Sequence, residues 1–155
     1  MRFGWKQEMQ FIIFQGEEGE SNLFGASVFS AYKNNGGSLS TGVLTYDVVV
    51  VGSDVLNKDS GFFTCKIGGV YIFTFSGEAS SSGSDWIGVH LNNVRQMILY
   101  DYDTQTLTNL SFTWTLALEE GDQVQLKIES GTFHVDADSS SSRIYFNGFL
   151  LKPSV

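Results

Sequence analysis

The chain is poor in cysteine, in basic residues, in long apolar runs and in catalytic motifs, and each shortage excludes something. Cysteine occurs once, at Cys65, so no disulfide can close within the chain. Cysteine usage therefore neither demands nor excludes an oxidising compartment, and the fold must stand on packing. Nine Lys and Arg face 17 Asp and Glu, a formal charge of -8 whose field repels phosphate backbones and anionic lipid headgroups. Nucleic acid is not an expected partner. The acidic excess reads either as a solvating surface or as loops able to hold a hard cation such as calcium. The longest apolar runs, Phe11-Ile12-Ile13-Phe14 and Val48-Val49-Val50-Val51, fall far short of the roughly 20 residues that span a bilayer. No membrane insertion is expected, and the first run is too short for a secretory core, so a secretory signal would have to lie outside this sequence. Gly-x-Ser-x-Gly, His-Glu-x-x-His, phosphate-binding and dinucleotide glycine patterns are all missing, which argues against an enzyme. Of the two histidines, His90 alternates within Val89-His90-Leu91 as a satisfied strand residue, and His134 falls in a loop without a motif.

What is present favours strands. Hydrophobic residues make up 42% of the 155 and charged residues 17%, enough apolar surface for one globular core and too little charge for a disordered or coiled-coil chain. The 13 Phe, 6 Tyr and 3 Trp, with many Val and Thr, suit pleated, half-buried surfaces. From residue 26 onward the apolar period is two. Leu110, Phe112, Trp114, Leu116 and Leu118 alternate with Ser111, Thr113, Thr115 and Ala117, the pattern of a strand with one buried face. Val124, Leu126 and Ile128 repeat it after a Glu119-Glu120-Gly121-Asp122 turn, and Ile87, Val89 and Leu91 lead through Asn92-Asn93 into Val94 to Tyr100, so two hairpins are expected. Phe63, Cys65 and Ile67 share a parity, which places Cys65 in the core as an inert thiol. Gly68-Gly69 breaks that run before Tyr71, Phe73 and Phe75 resume. Short strands at regular spacing without a helical period describe a β-sandwich or jelly roll.

Two segments are apolar on both faces: Val48 to Val51, and Ile144 to Leu151, where Ile144, Phe146 and Leu150 lie on one parity and Tyr145, Phe149 and Leu151 on the other. A sandwich covers only one face of a strand, so the second face implies another subunit. The acidic stretch Gln15 to Asn22 reads as a linker, dividing an amino-terminal segment (1–25) from a domain (26–155). Residues 1 to 14, with Phe3, Trp5 and Met9, are open to three readings: an added strand, packing at an oligomer interface, or extraneous sequence.

Four blocks carry a family resemblance. Phe29-Ser30-Ala31-Tyr32, Ser60-Gly61-Phe62-Phe63-Thr64-Cys65-Lys66-Ile67-Gly68-Gly69-Val70-Tyr71-Ile72-Phe73, Leu118-Glu119-Glu120-Gly121-Asp122-Gln123-Val124 and Phe146-Asn147-Gly148-Phe149-Leu150-Leu151 together resemble the C1q globular domain over about residues 26 to 152. The resemblance implies a ten-stranded jelly roll related to tumour necrosis factor, assembled as a homotrimer, in agreement with the doubly apolar closing segment, whose Tyr145, Phe149 and Leu151 are expected at the interface. It departs from the family in having Ile67-Gly68-Gly69 where Pro-Gly is usual, which keeps the turn without proline's rigidity. The absence of a Gly-X-Y repeat suggests a head-only member, so avidity from bundled trimers would have to arise elsewhere.

The same resemblance implies a secreted, extracellular recognition head without enzymatic activity, of the pattern-recognition or lectin kind found in innate immunity. Calcium would be held near the threefold axis. Asp101, in Leu99-Tyr100-Asp101-Tyr102-Asp103-Thr104, matches a liganding aspartate, but about eight residues later, where a second acid is expected, stands Asn109. Asp103 is a candidate substitute, against the alternative that both are solvated loop carboxylates. Tyr102, His134, Asp136, Asp138 and Arg143 are candidate ligand contacts, with Phe133 or His134 available to stack on a ligand, although Asp136 to Arg143 also reads as a plain polar loop. Asn109-Leu110-Ser111 is a glycosylation sequon that abuts a strand and is open to burial. The ligand is expected to be a glycan or other repeating pattern. The alternative is a cytokine-like or adhesion ligand that binds a protein receptor between subunits.

Overall fold

The computed structural model describes residues 27–80, 83–102, 106–135 and 144–154. The described chain is all β, in twelve strands: β1 (Val28–Lys33), β2 (Gly37–Leu39), β3 (Gly42–Val43), β4 (Val48–Val51), β5 (Phe63–Thr64), β6 (Gly69–Ala79), β7 (Asp85–Leu91), β8 (Val94–Asp101), β9 (Thr108–Leu118), β10 (Gln123–Ser130), β11 (Phe133–Val135) and β12 (Ile144–Pro153). They form a jelly roll of two antiparallel sheets, seven strands in one and five in the other. In the larger sheet β6 is the spine. It pairs along its whole length with β9 on one side, and on the other with β12 and then, at Glu78 and Ala79, with β11. Beyond β12 come β1 and β4. The smaller sheet runs β8, β7, β10, and the free edge of β10 is shared by β5 and β3. The ten expected strands appear as twelve segments because the line beside β10 is interrupted and β11 adds a short ribbon with β2 beside the spine.

Period-two sequence becomes layered packing. Along β6, Tyr71, Phe73, Phe75 and Ala79 are buried while Val70, Ile72 and Thr74 are only half covered. Along β9, Leu110, Leu116 and Leu118 are buried and Phe112 and Trp114 pack against them. The centre is aromatic. Phe29 meets Phe146 at 4.9 Å and Phe63 at 5.2 Å between ring centroids, and Phe63 meets Phe73 edge-on at 5.4 Å. Each such ring, fully buried, stabilises the fold by about 2–3 kcal/mol. Gly148 is what lets the cluster close: a Cβ there would lie 2.5 Å from Phe29 Cε1 and 2.8 Å from Phe73 Cδ1. The Phe-Asn-Gly-Phe block is thus a packing device as well as a strand.

The turns follow their chemistry. Asn92 and Asn93 both adopt left-handed backbone, φ 50° and 66°, which suits a tight hairpin turn between β7 and β8. Asn92 donates to Asp122 Oδ1 at 2.8 Å and accepts from the Gln123 amide at 2.9 Å, so that hairpin is pinned to the turn before β10. Cys65 and Asp122 join the same end, the Cys65 amide donating to the Asp122 carbonyl at 2.8 Å. Cys65 is buried, and burial pushes its thiol above the usual range.

Two expectations are corrected here. Phe133 is fully buried in β11 and is not available to a ligand, because its parity points into the core. His134 belongs to that strand rather than to a loop, in register with Glu78 on one side and Ser38 on the other.

Candidate functional site

The outer face of the larger sheet is ordered in cross-strand rows set by the register. Tyr32, Tyr145, Ser76 and Ser111 form one, Ser30, Asn147, Thr74 and Thr113 the next, and Val28, Phe149, Ile72 and Thr115 a third. In the middle row Ser30 donates to Asn147 Oδ1 at 2.7 Å and Asn147 Nδ2 donates to Thr74 at 3.2 Å, so three of its four polar side chains are linked across the sheet. Val28, Phe149 and Ile72 of the third row and the neighbouring Leu151 make an apolar patch: Phe149 is 42% exposed and Leu151 54%, with Tyr145 of the first row at 37%. These are the three residues that sequence reasoning assigned to an interface, and they share one face. Val48 to Val51 divides differently. Val49 packs against the core whereas Val50 and Val51 are exposed at the sheet edge.

One end of the sandwich gathers the termini of β6, β7, β8, β9, β10 and β11. There Asp85 stands opposite Asp101 across β7 and β8. Asp85 is fully buried; its Oδ1 accepts the Thr132 amide at 2.6 Å, and its Oδ2 has no hydrogen-bond partner. Burial raises the Asp85 carboxyl above its ordinary range, the Thr132 amide opposes this, and the charge of Asp101 adds to it. Asp101 is half-buried and engaged within the protein. Sequence reasoning missed Asp85, which lies 16 positions away and is brought in only by strand register. Asn109 is exposed and in register with Glu78, so the sequon is not buried. Of the other candidate residues, Asp103, Asp136, Asp138 and Arg143 lie outside the described residues. Among the described residues no cluster of three or more His, Cys, Asp or Glu side chains forms a metal cage.

Tyr102 follows β8 and touches Tyr100 at 5.0 Å and Trp86 at 6.4 Å between centroids, and Trp86 meets Tyr100 at 6.5 Å. This trio lies on the outer side of the smaller sheet. Further along that face His90 Nε2 pairs with Glu129 Oε1 at 2.7 Å and Arg95 with Glu129 Oε2 at 2.6 Å. Gly88 makes room for the pair, since a Cβ there would meet Glu129 Oε1 at 2.4 Å. Burial raises the Glu129 carboxyl, but the hydrogen bonds and charges of Arg95 and His90 outweigh it and leave the group lowered. The other His90 nitrogen faces the Asn93 carbonyl at 3.4 Å. These partners are structural, and none is a nucleophile. An open hollow beside β4, lined by residues including Asp47, Ser53, Asn57 and Lys58, contains none of the candidate residues.

The profile of the C1q domain family matches residues 28–151. The chain belongs to the C1q domain family. It is 33% identical over 95 residues to the mouse collagen alpha-1(X) chain and 31% identical over 97 residues to one of the polypeptides of the rat complement C1q subcomponent, matches that cover 61% and 63% of this chain. It spans 14% and 38% of those relatives' lengths. The globular domain of the zebrafish complement 1qA protein superposes with a TM-score of 0.66 at 21% identity, covering 83% of this chain and 99% of that one, which shows the shared fold. In this C1q domain the blocks that carry the resemblance are the aromatic core, the Cys65 to Asp122 end and the Gly148 packing notch.

Proposed function

We propose that this C1q domain is the head of a secreted homotrimer that recognises glycans or other repeating ligands and performs no chemistry on them. The observation that carries the reading is the open apolar row on the larger sheet, with Phe149 42% and Leu151 54% exposed. An apolar patch of this kind beside a hydrogen-bonded polar row suits contact with further copies of the chain around a shared axis. Trimer formation through that face leaves the loop end and the whole smaller sheet available to ligands.

Calcium has a partial fit. Asp101 and the buried Asp85, with one carboxylate oxygen lacking a hydrogen-bond partner, offer the hard oxygen donors that calcium takes, and Asp103 would complete the set. Bound calcium would neutralise these carboxylates and supply coordination sites for ligand hydroxyls. The chain's own contribution is to hold Asp85 and Asp101 opposite each other on neighbouring strands.

The test is a glycan array with the trimeric protein, with and without calcium, beside a thermal-shift titration with calcium. Binding to a defined glycan class supports the reading. A blank array in both conditions, with capture of a cell-surface protein insensitive to free sugars, would favour a receptor ligand instead. A calcium-dependent rise in Tm that survives Asp101→Ala would remove this site as its origin.

A further inference from the structure

We infer that Trp86, Tyr100 and Tyr102 form a stacking platform for an uncharged pyranose ring on the outer face of the smaller sheet, beside the end that holds Asp85 and Asp101; this rests on the glycan reading above and gives it a location. The register places Trp86 opposite Tyr100 on β7 and β8, and Tyr102 closes the group two residues later. All three rings are in mutual contact, with Trp86 and Tyr102 at an interplanar angle of 86° and Tyr100 and Tyr102 at 55°. Tyr100 is 54% and Tyr102 60% exposed. Aromatic side chains this open on a water-facing sheet forgo burial that would stabilise them, and grouping three of them makes a surface suited to an apolar ligand face.

Their polar atoms narrow the ligand. The Trp86 indole N–H is buried beneath the cluster and has no acceptor, so an arriving hydroxyl meets it only if the exposed Tyr100 and Tyr102 rings move aside. The two phenols add hydroxyl groups to an otherwise apolar surface. A pyranose offers the complementary pattern: a face of C–H groups for the rings and a rim of hydroxyls for the donors and acceptors.

Charge points the same way. The row carrying the platform, Ser130, Trp86 and Tyr100, has no ionisable side chain besides phenol, and the adjoining row of Lys127, Gly88 and Ile98 contributes one cation. Arg95, further along, is committed to Glu129. On a protein of net charge -8 this surface favours a neutral sugar over a sialylated or sulfated one. Trp86 and Tyr100 are mounted on paired strands and Tyr102 is held by contact with both rings, so little freedom is lost on binding. If trimers form through the larger sheet, three platforms face outward and can engage a repeating glycan together.

The experiment uses the trimer on an array of immobilised neutral and acidic glycans, followed by tryptophan-fluorescence titration with the neutral oligosaccharides bound. Tyr100→Ser and Tyr102→Ser change exposed rings and are checked for native Tm and trimer mass; Trp86→Phe keeps a ring and removes the N–H. Each tyrosine variant should weaken neutral-glycan affinity roughly tenfold or more, with Lys58→Gln, in the exposed loop between β4 and β5, leaving it unchanged. Glycan binding that ignores both tyrosine variants, or that is confined to acidic glycans, overturns the platform and leaves the glycan reading standing. A blank array removes both.

Discussion

Replacing Phe149 by serine tests the assembly at its apolar centre. The ring points away from its own core, so the change should leave the protomer folded. With 42% of its surface exposed, a phenylalanine of about 200 Å² has about 80 Å² left to cover in an assembly. At about 25 cal/mol per Å² that is about 2 kcal/mol per copy, or about 6 kcal/mol for three, which raises the trimer dissociation constant by about 10⁴-fold. Sedimentation equilibrium across a dilution series reads this directly. Val94→Ser, 63% exposed at the start of β8 on the other sheet, is the control and should dissociate like the unaltered protein. A Phe149→Ser protein that remains trimeric to the same dilution as its parent, or a parent that is monomeric at micromolar concentration, refutes the placement of the interface. Concentration-dependent Tm in the parent, lost in the variant, is the companion signature.

Gly148→Ala should lower stability by about 1–3 kcal/mol, because its Cβ would intrude on Phe29 and Phe73; urea unfolding with unchanged m-value would show it, and an unaltered midpoint would mean that the ring cluster yields freely. The pH profile has two opposing acid-range components. Glu129, lowered in the fold, contributes stability that is present above the ordinary carboxylate pKa of about 4 and is lost as pH falls through its folded value. Asp85, raised in the fold, contributes in the opposite sense: its favourable share is complete below about 4 and is lost as pH rises through the folded value. Asp85→Asn, which keeps an acceptor for the Thr132 amide, should remove that loss and leave Glu129's acid limb intact in denaturant titrations from pH 3 to 7. A parent whose stability never declines above the ordinary carboxylate range would contradict the burial argument for Asp85.

Much of the sandwich was legible because strand burial has a period of two. Leu110 to Leu118, Val124 to Ile128 and Tyr71 to Phe75 lie where their alternation puts them, and the Asn92-Asn93 hairpin follows from the ease with which asparagine adopts left-handed backbone. Tyr145, Phe149 and Leu151 could be assigned to an outer face because β12 is apolar on both parities. What depends on register was not legible. The pairing of Asp85 with Asp101, and of Trp86 with Tyr100, requires knowing which residues of two strands stand opposite, and alternation alone does not say. His134 was misplaced for a similar reason: β11 is three residues long, too short for a period to declare itself, and only its ladders with β2 and β6 make it a strand. Val48 to Val51 reads as uniformly apolar, yet its irregular pairing with β1 separates Val49, which packs inward, from the exposed Val50 and Val51.

The place of β12 in the larger sheet also sets the order of events during synthesis. It lies between β1 and β6, yet it is the latest strand in the chain, and Phe29 faces Gly148 across a separation of more than a hundred residues. Until β12 emerges, facing edges of β1 and β6 lack their partner and the Phe29, Phe63 and Phe73 rings lack Phe146. Such a chain carries a slow, non-local closing step with exposed strand edges before it. Because Phe149 rides on the same strand, a nascent chain has no complete apolar row until the strand that completes its core has been made, so the proposed assembly through that row would follow that step.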